Sequence, residues 1–166
     1  AAGDRQVVRK HLDLVLFRED SASEPMDLYH NNGDGTFTQV EDVLTGTRDA
    51  WIPAPWIDVD NDGFLDLMVG RQSGENVLFK NQGNGNHWLK LTLQGTASNR
   101  SAIGAKIRVR ASIRGQIVWQ MREIISSILS EDGLRANFGL GDTTVAEVVR
   151  IEWPSGRVQE LYGVTV

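Results

Sequence analysis

The residues with the clearest chemical potential are the four aspartates of Asp58-Val59-Asp60-Asn61-Asp62-Gly63-Phe64-Leu65-Asp66. Counted from Asp58, carboxylates fall at positions 1, 3, 5 and 9, with glycine at 6. A hard cation such as calcium takes six to eight oxygens, and a tightly coiled loop with alternating acids can bring several of them to one point. The glycine permits the sharp turn this requires. The reading assigns Asp58, Asp60, Asp62 and Asp66 as side-chain ligands and the Phe64 carbonyl as a backbone ligand. Ligation by oxygen alone, nearly all of it from protein, suits calcium better than magnesium. The plainer reading is an acidic surface turn, but four like charges within nine residues repel one another unless a cation neutralises them. An EF-hand-type loop would carry a bidentate acid at position 12 and lead into a helix. Position 12 is Val69, and Leu65–Val69 is a short apolar run suited to a buried strand.

Other chemistry finds little support. His11, His30 and His87 are scattered, and cysteine is absent. No Gly-x-Ser-x-Gly elbow, His-Glu-x-x-His pair or phosphate-cradling glycine loop occurs. The acidic loop spends its carboxylates on one ion, so we expect no enzyme.

The elements that position the loop follow from periodicity. The chain has 166 residues and 17 glycines, with many short Val, Ile, Leu and Trp runs bounded by Asn, Asp and Gly, a mostly β pattern. No run approaches the length of a membrane helix, so membrane insertion is not expected. Acid is concentrated early: residues 1–85 hold 7 Lys and Arg against 15 Asp and Glu, whereas residues 86–166 hold 10 against 7. That distribution favours cations over nucleic acid as a partner of the first half. The start lacks both an initiator Met and a signal-peptide layout, so it reads as a mature or excised segment.

The first half repeats. Leu12-Asp13-Leu14-Val15-Leu16 matches Leu65-Asp66-Leu67-Met68-Val69 at an offset of 53, and Leu28-Tyr29-His30-Asn31-Asn32-Gly33-Asp34-Gly35 matches Leu78-Phe79-Lys80-Asn81-Gln82-Gly83-Asn84-Gly85 at an offset of 50. Each unit reads strand, polar turn, strand, then an Asn/Gly-rich hairpin turn. The second half, from Asn86, alternates more strictly. Leu89–Leu93 and Ala105–Arg110 alternate apolar and polar residues, and Ile117, Trp119 and Met121 continue the pattern. So do Leu134, Ala136 and Phe138, then Val149, Ile151 and Trp153, before a last strand near Val158–Tyr162. Trp88, Trp119 and Trp153 are expected to pack in the core or on a sheet face. Lys106, Arg108, Arg110, Arg122, Arg135 and Arg150 suit a solvated strand face, with an acidic glycan or protein as the alternative use.

The Asp-x-Asp-x-Asp-Gly-x-x-Asp pattern and the repeat around it resemble FG-GAP/VCBS repeats, the blades of integrin-α-type β-propellers. The resemblance implies calcium in a loop between adjacent strands of a blade. The first unit departs from the pattern: aligned on Asp13, positions 1, 3, 5 and 6 are Arg5, Val7, Arg9 and Lys10. One calcium site is therefore expected, not two. In the second half, Asn86-His87-Trp88-Leu89-Lys90-Leu91, Asn99-Arg100-Ser101-Ala102-Ile103-Gly104-Ala105, Phe138-Gly139-Leu140-Gly141 and Ile151-Glu152-Trp153-Pro154-Ser155-Gly156 resemble the ASPIC/UnbV domain, which follows such repeats in cartilage acidic protein-like secreted proteins. Ile128 departs from it, standing where an aromatic is expected.

The expected fold is all-β, with blade-like repeats over 1–85 forming an incomplete propeller, followed by a β-sandwich or open barrel over 86–166. The expected function is a calcium-binding, non-enzymatic interaction or adhesion module, extracellular or periplasmic, with a protein partner. Two alternatives remain: a structural subunit docking into a larger assembly, and a carbohydrate-binding module stacking glycan on Trp51 or Trp56, which flank Pro53 and Pro55.

Overall fold

A computed structural model describes residues 13–16, 26–32, 34–45, 47, 55–71, 74–126 and 134–166. Trp51, Pro53, His11, the Arg5–Lys10 stretch and Ile128 lie outside them. The described residues form strands and no α-helix, so the all-β expectation holds. Two compact units divide the chain, one of Ala1–Asp60 with Leu65–Gln82 and one of Asn61–Phe64 with Gly83–Val166.

The first unit holds two antiparallel three-stranded sheets. One runs β1 (Leu14–Leu16), β2 (Asp27–Asn31), β3 (Phe37–Val40); the other runs β4 (Trp56–Ile57), β5 (Asp66–Val69), β6 (Val77–Phe79). The sequence repeat is reproduced in the pairing. Leu14 faces Tyr29, Val15 faces Leu28 and Leu16 faces Asp27, while Leu67 faces Phe79, Met68 faces Leu78 and Val69 faces Val77. These are the same register after the offsets of 53 and 50. The core takes opposite faces of the two sheets: Val15, Leu28 and Val40 from the first, and Trp56, Leu67, Val69, Val77 and Phe79 from the second, with Met26 and Leu44. Burying these apolar side chains stabilises the unit by roughly 1.5–3 kcal/mol for each one fully covered. Thr47 is buried among them with its hydroxyl satisfied twice, accepting from Met26 N at 2.8 Å and donating to Leu44 O at 2.7 Å.

The second unit is a two-sheet sandwich. β7 (His87–Thr92) pairs with β10 (Arg135–Gly141), and a four-stranded antiparallel sheet runs β12 (Val158–Thr165), β11 (Val145–Glu152), β8 (Lys106–Ile113), β9 (Gln116–Glu123). Strand β10 packs against β8 and β9. Ile107, Val109, Ala111, Ile113, Val118, Val149 and Ile151 supply the buried face of the larger sheet, and Leu89, Ala136, Phe138 and Leu140 that of the smaller. Alternation in β8 follows the sequence reading, with every second residue buried.

Strand β9 corrects the expectation. Pairing of Ala111 with Val118 and of Arg110 with Trp119 puts Val118 on the buried face and Ile117, Trp119 and Met121 on the outer one. Trp119 is 54% exposed, so it is not a core residue. Leu134 is exposed too, while Ala136 and Phe138 are buried. The physical reason is register: β8 fixes which face of β9 is covered, and the large residues fall on the other one.

Several motif glycines and asparagines act as local scaffolding. Asn99 closes the Asn99–Gly104 loop on itself, donating from Nδ2 to Ile103 O at 2.9 Å and accepting from Ile103 N at 2.8 Å. Such side-chain bonds replace the ladder bonds a loop lacks.

Candidate metal loop

The acidic loop links β4 to β5, which pair through Trp56–Leu67 and Ile57–Asp66. Closing a loop on two paired strands forces its chain to coil, so alternate side chains turn toward one region. Asp58, Asp60 and Asp62 each offer a carboxylate oxygen, and the three oxygens lie within 4.8 Å of one another. Asp58 is buried, only 5% exposed, whereas Asp60 and Asp62 face solvent. An ionised carboxylate held away from water beside two others is costly unless a cation or hydrogen bonds compensate it.

The loop is stiffened from within. Asp62 Oδ1 accepts the Phe64 amide at 2.9 Å, an Asx-type turn. Asn61 and Gly63 have positive φ, 59° and 88°. Gly63 serves a second purpose unseen in the sequence: a Cβ there would lie 1.6 Å from Cε2 of Trp88, so the indole rests directly on the glycine backbone. The Phe64 ring lies similarly on Gly83. Trp88 is half-buried by this packing, in keeping with the expected packing role.

Asp66 sits differently from its neighbours. It is fully buried, and its two oxygens accept backbone amides, Oδ2 from Val59 at 3.2 Å and Oδ1 from Asn81 at 2.8 Å. The three converging carboxylates do not include it. The first repeat shows the same bond at the equivalent place: Asp13 Oδ1 accepts the Asn31 amide at 3.1 Å, and His30 Nδ1 lies 3.0 Å from the same oxygen. The ninth-position aspartate thus ties the start of one strand to an asparagine at the end of its neighbour or just beyond it in both repeats.

A cation already stands beside the loop. Lys80 Nζ lies 2.5 Å from Asp60 Oδ2, with both side chains partly exposed. The sequence pattern did not single out Lys80, since its approach depends on the pairing of β5 with β6. The donor set fits calcium: three carboxylates on one stiff loop, oxygen only, with Asp66 adjacent.

Two family models match the chain in order. Residues 10–69 match the FG-GAP-like repeat, and residues 95–166 match ASPIC and UnbV. The chain carries an FG-GAP-like repeat segment followed by an ASPIC and UnbV domain. Neither a curated protein nor a solved structure matches it. This pairing of domains indicates an extracellular-type protein-interaction module, and FG-GAP-type domains are usually extracellular. No helix among the described residues is long and apolar enough to cross a membrane.

The sequence reading named Arg108 and Arg150 as part of a basic face but did not join Trp119, Gln120 and Met121 to it. Arg108, Trp119, Gln120, Met121 and Arg150 line a shallow pocket of about 220 Å³ on the larger sheet of the second unit. Glu152 Oε1 holds both guanidiniums, accepting from Arg108 Nε at 3.3 Å and Arg150 Nε at 3.1 Å. Arg150 also donates to Glu160, which accepts from the Tyr162 hydroxyl. These bonds raise the Arg150 pKa and lower those of Glu152 and Glu160. Trp56, one of the two proposed stacking platforms, instead packs on the first unit's core.

Proposed function

We propose that this is a calcium-stabilised, non-enzymatic extracellular interaction module that binds one calcium ion in the loop Asp58–Asp66. The observation that carries this reading is the convergence of Asp58, Asp60 and Asp62 within 4.8 Å on a single stiff loop. Asp58, Asp60 and Asp62 would hold the ion by their side chains, with the Phe64 carbonyl and Asp66 completing the set. When bound, the ion supplies positive charge that cancels the loop's repulsion and fixes the β4–β5 connection. The first repeat has only Asp13 of this set, so it binds none.

Binding by the folded chain alone raises its melting temperature through mass action. Calcium added to chelator-treated protein is expected to raise it, and Asp62→Ala to abolish the shift. An unchanged melting temperature in the parent protein would contradict the reading. Affinity on the order of 10⁻⁴–10⁻³ M, that of extracellular calcium modules, is expected.

A second reading concerns glycan. The half-exposed Trp119 shares the pocket with Arg108 and Arg150 and offers an aromatic platform beside hydrogen-bond donors, the chemistry of a site for an acidic sugar. Titration with an acidic oligosaccharide should quench Trp fluorescence in the parent and not in Trp119→Ala. Equal quenching in both would remove Trp119 from the reading.

A further inference from the structure

The outer face of the larger sheet in the second unit carries exposed aromatics at both ends of a single row. Trp119 on β9 pairs with Arg110 on β8, Arg110 with Val148 on β11, and Val148 with Tyr162 on β12. Residues paired in this way share a face, and theirs is opposite to the one that buries Val109, Val118 and Val149. Trp119 is 54% exposed and Tyr162 is 69% exposed. Three strand gaps separate them, about 14 Å.

The side chains between the two rings are held in place by their own bonds. The adjacent row runs Met121, Arg108, Arg150, Glu160, and its first three residues line the shallow pocket beside Trp119. The Tyr162 hydroxyl donates to Glu160, Glu160 accepts from Arg150, and Glu152 accepts from both Arg150 and Arg108. One chain of hydrogen bonds therefore crosses the sheet from the ring on β12 to the guanidinium on β8, so both groups are oriented before any ligand arrives. Among the described residues Arg108 hydrogen-bonds through Nε alone. The forked end of its guanidinium is left to face a bidentate acceptor such as a carboxylate.

This polar centre selects among partners. A dry protein surface would strip water from ion pairs that include Glu147, Glu152 and Glu160, at a desolvation cost that can exceed the attraction within the pairs. The same glutamates offset Arg108, Arg110 and Arg150, so the face has no surplus of positive charge for a nucleic-acid backbone. A polyhydroxylated chain keeps the centre hydrogen-bonded while its rings cover the aromatic ends.

We propose that an acidic oligosaccharide lies across the four strands, one ring on Trp119, another on Tyr162, and a carboxylate between them on the forked end of Arg108. The proposal rests on the reading of Trp119 as a glycan platform and adds to it the length of the ligand and its second anchor. No part of it involves the calcium loop.

The test is calorimetric titration of the full 166-residue chain with galacturonic acid oligomers of increasing length. Affinity should rise with each added ring until the oligomer spans about 14 Å, then level off. Tyr162→Ala should weaken the long oligomers by about tenfold and leave the shortest binding oligomer unchanged. Trp119→Ala should weaken every length. Tyr162→Phe keeps the ring and should preserve the length dependence, and melting curves identify any variant that fails to fold. If Trp119→Ala loses affinity at every length while Tyr162→Ala loses none, this proposal is overturned and the Trp119 platform stands. Absence of binding by the parent at every length overturns both and leaves the face to a protein partner.

Discussion

The two repeats of the first unit have the same strand register and the same aspartate at the start of their first matched strand, yet only one carries the converging acids. Asp13 and Asp66 both accept the amide of an asparagine at the end of the neighbouring strand or just beyond it, Asn31 and Asn81. In the second repeat Asp58, Asp60 and Asp62 stand upstream of that aspartate; in the first, Arg5, Val7 and Arg9 occupy the equivalent positions. The difference separates two jobs within one motif. The ninth-position aspartate serves the architecture in both repeats, and the three alternating aspartates are present in the second alone.

The strongest way to break that separation is to remove the shared aspartate. Asp66→Ala leaves the Val59 and Asn81 amides without their carboxylate and is expected to destabilise the chelator-treated protein by about 3–4 kcal/mol. Asp13→Ala, which loses the Asn31 amide and the His30 contact, should cost about 2–3 kcal/mol. Denaturant titration without calcium measures both. If neither variant loses stability until calcium is added, the aspartates are ligands only.

Glycine 63 sharpens the same contrast from the packing side. Gly63→Ala combines positive-φ strain with a collision against Trp88 and should cost about 3 kcal/mol. Gly156→Ala meets positive φ alone, with open space around the new methyl, and should cost about 1 kcal/mol. Equal losses would mean that the indole moves aside freely.

Lys80 provides a smaller probe of the ion chemistry. Its ammonium competes for Asp60, so Lys80→Met should tighten calcium binding by roughly twofold to fivefold, the effect of an exposed ion pair. A weaker affinity in this variant would show that Lys80 supports the loop instead.

The acid dependence of the second unit is expected to be slight. Hydrogen bonds from Arg150 hold Glu152 below its ordinary pKa, and those from Tyr162 and Arg150 do the same for Glu160. Carboxylates depressed in the folded state stabilise it above their unfolded pKa, and that stability is lost as pH falls through the lower folded values. A thermal melt series from pH 5 downward should therefore show the loss only below about pH 4.5, near the ordinary glutamate range. Glu160→Gln should flatten it.

Much of the molecule was legible because its signals are local in sequence. The two matched blocks carried their spacing directly into the strand pairing, and the alternating aspartates carried theirs into a shared point. Three of the four phrases of the second half, those at 99–105, 138–141 and 151–156, fall within the residues that the second family model matches. What could not be read depended on which side another element covers. Alternation gives the parity of Ile117, Trp119 and Met121, but only the register with β8 decides that their side is outward. Asp66 reads as a ligand from its spacing alone, whereas its acceptor role toward Asn81, fifteen positions away, follows from strand pairing. Gly63 reads as a turn residue, while its contact with Trp88 joins positions that no motif links.

Calorimetric titration of calcium into the chelator-treated chain, beside Asp60→Ala and Asp62→Ala, tests the central claim most directly. One ion per parent chain and none in either variant is the expected result. Two ions per chain, or binding that survives both substitutions, would place the calcium chemistry outside Asp58–Asp66.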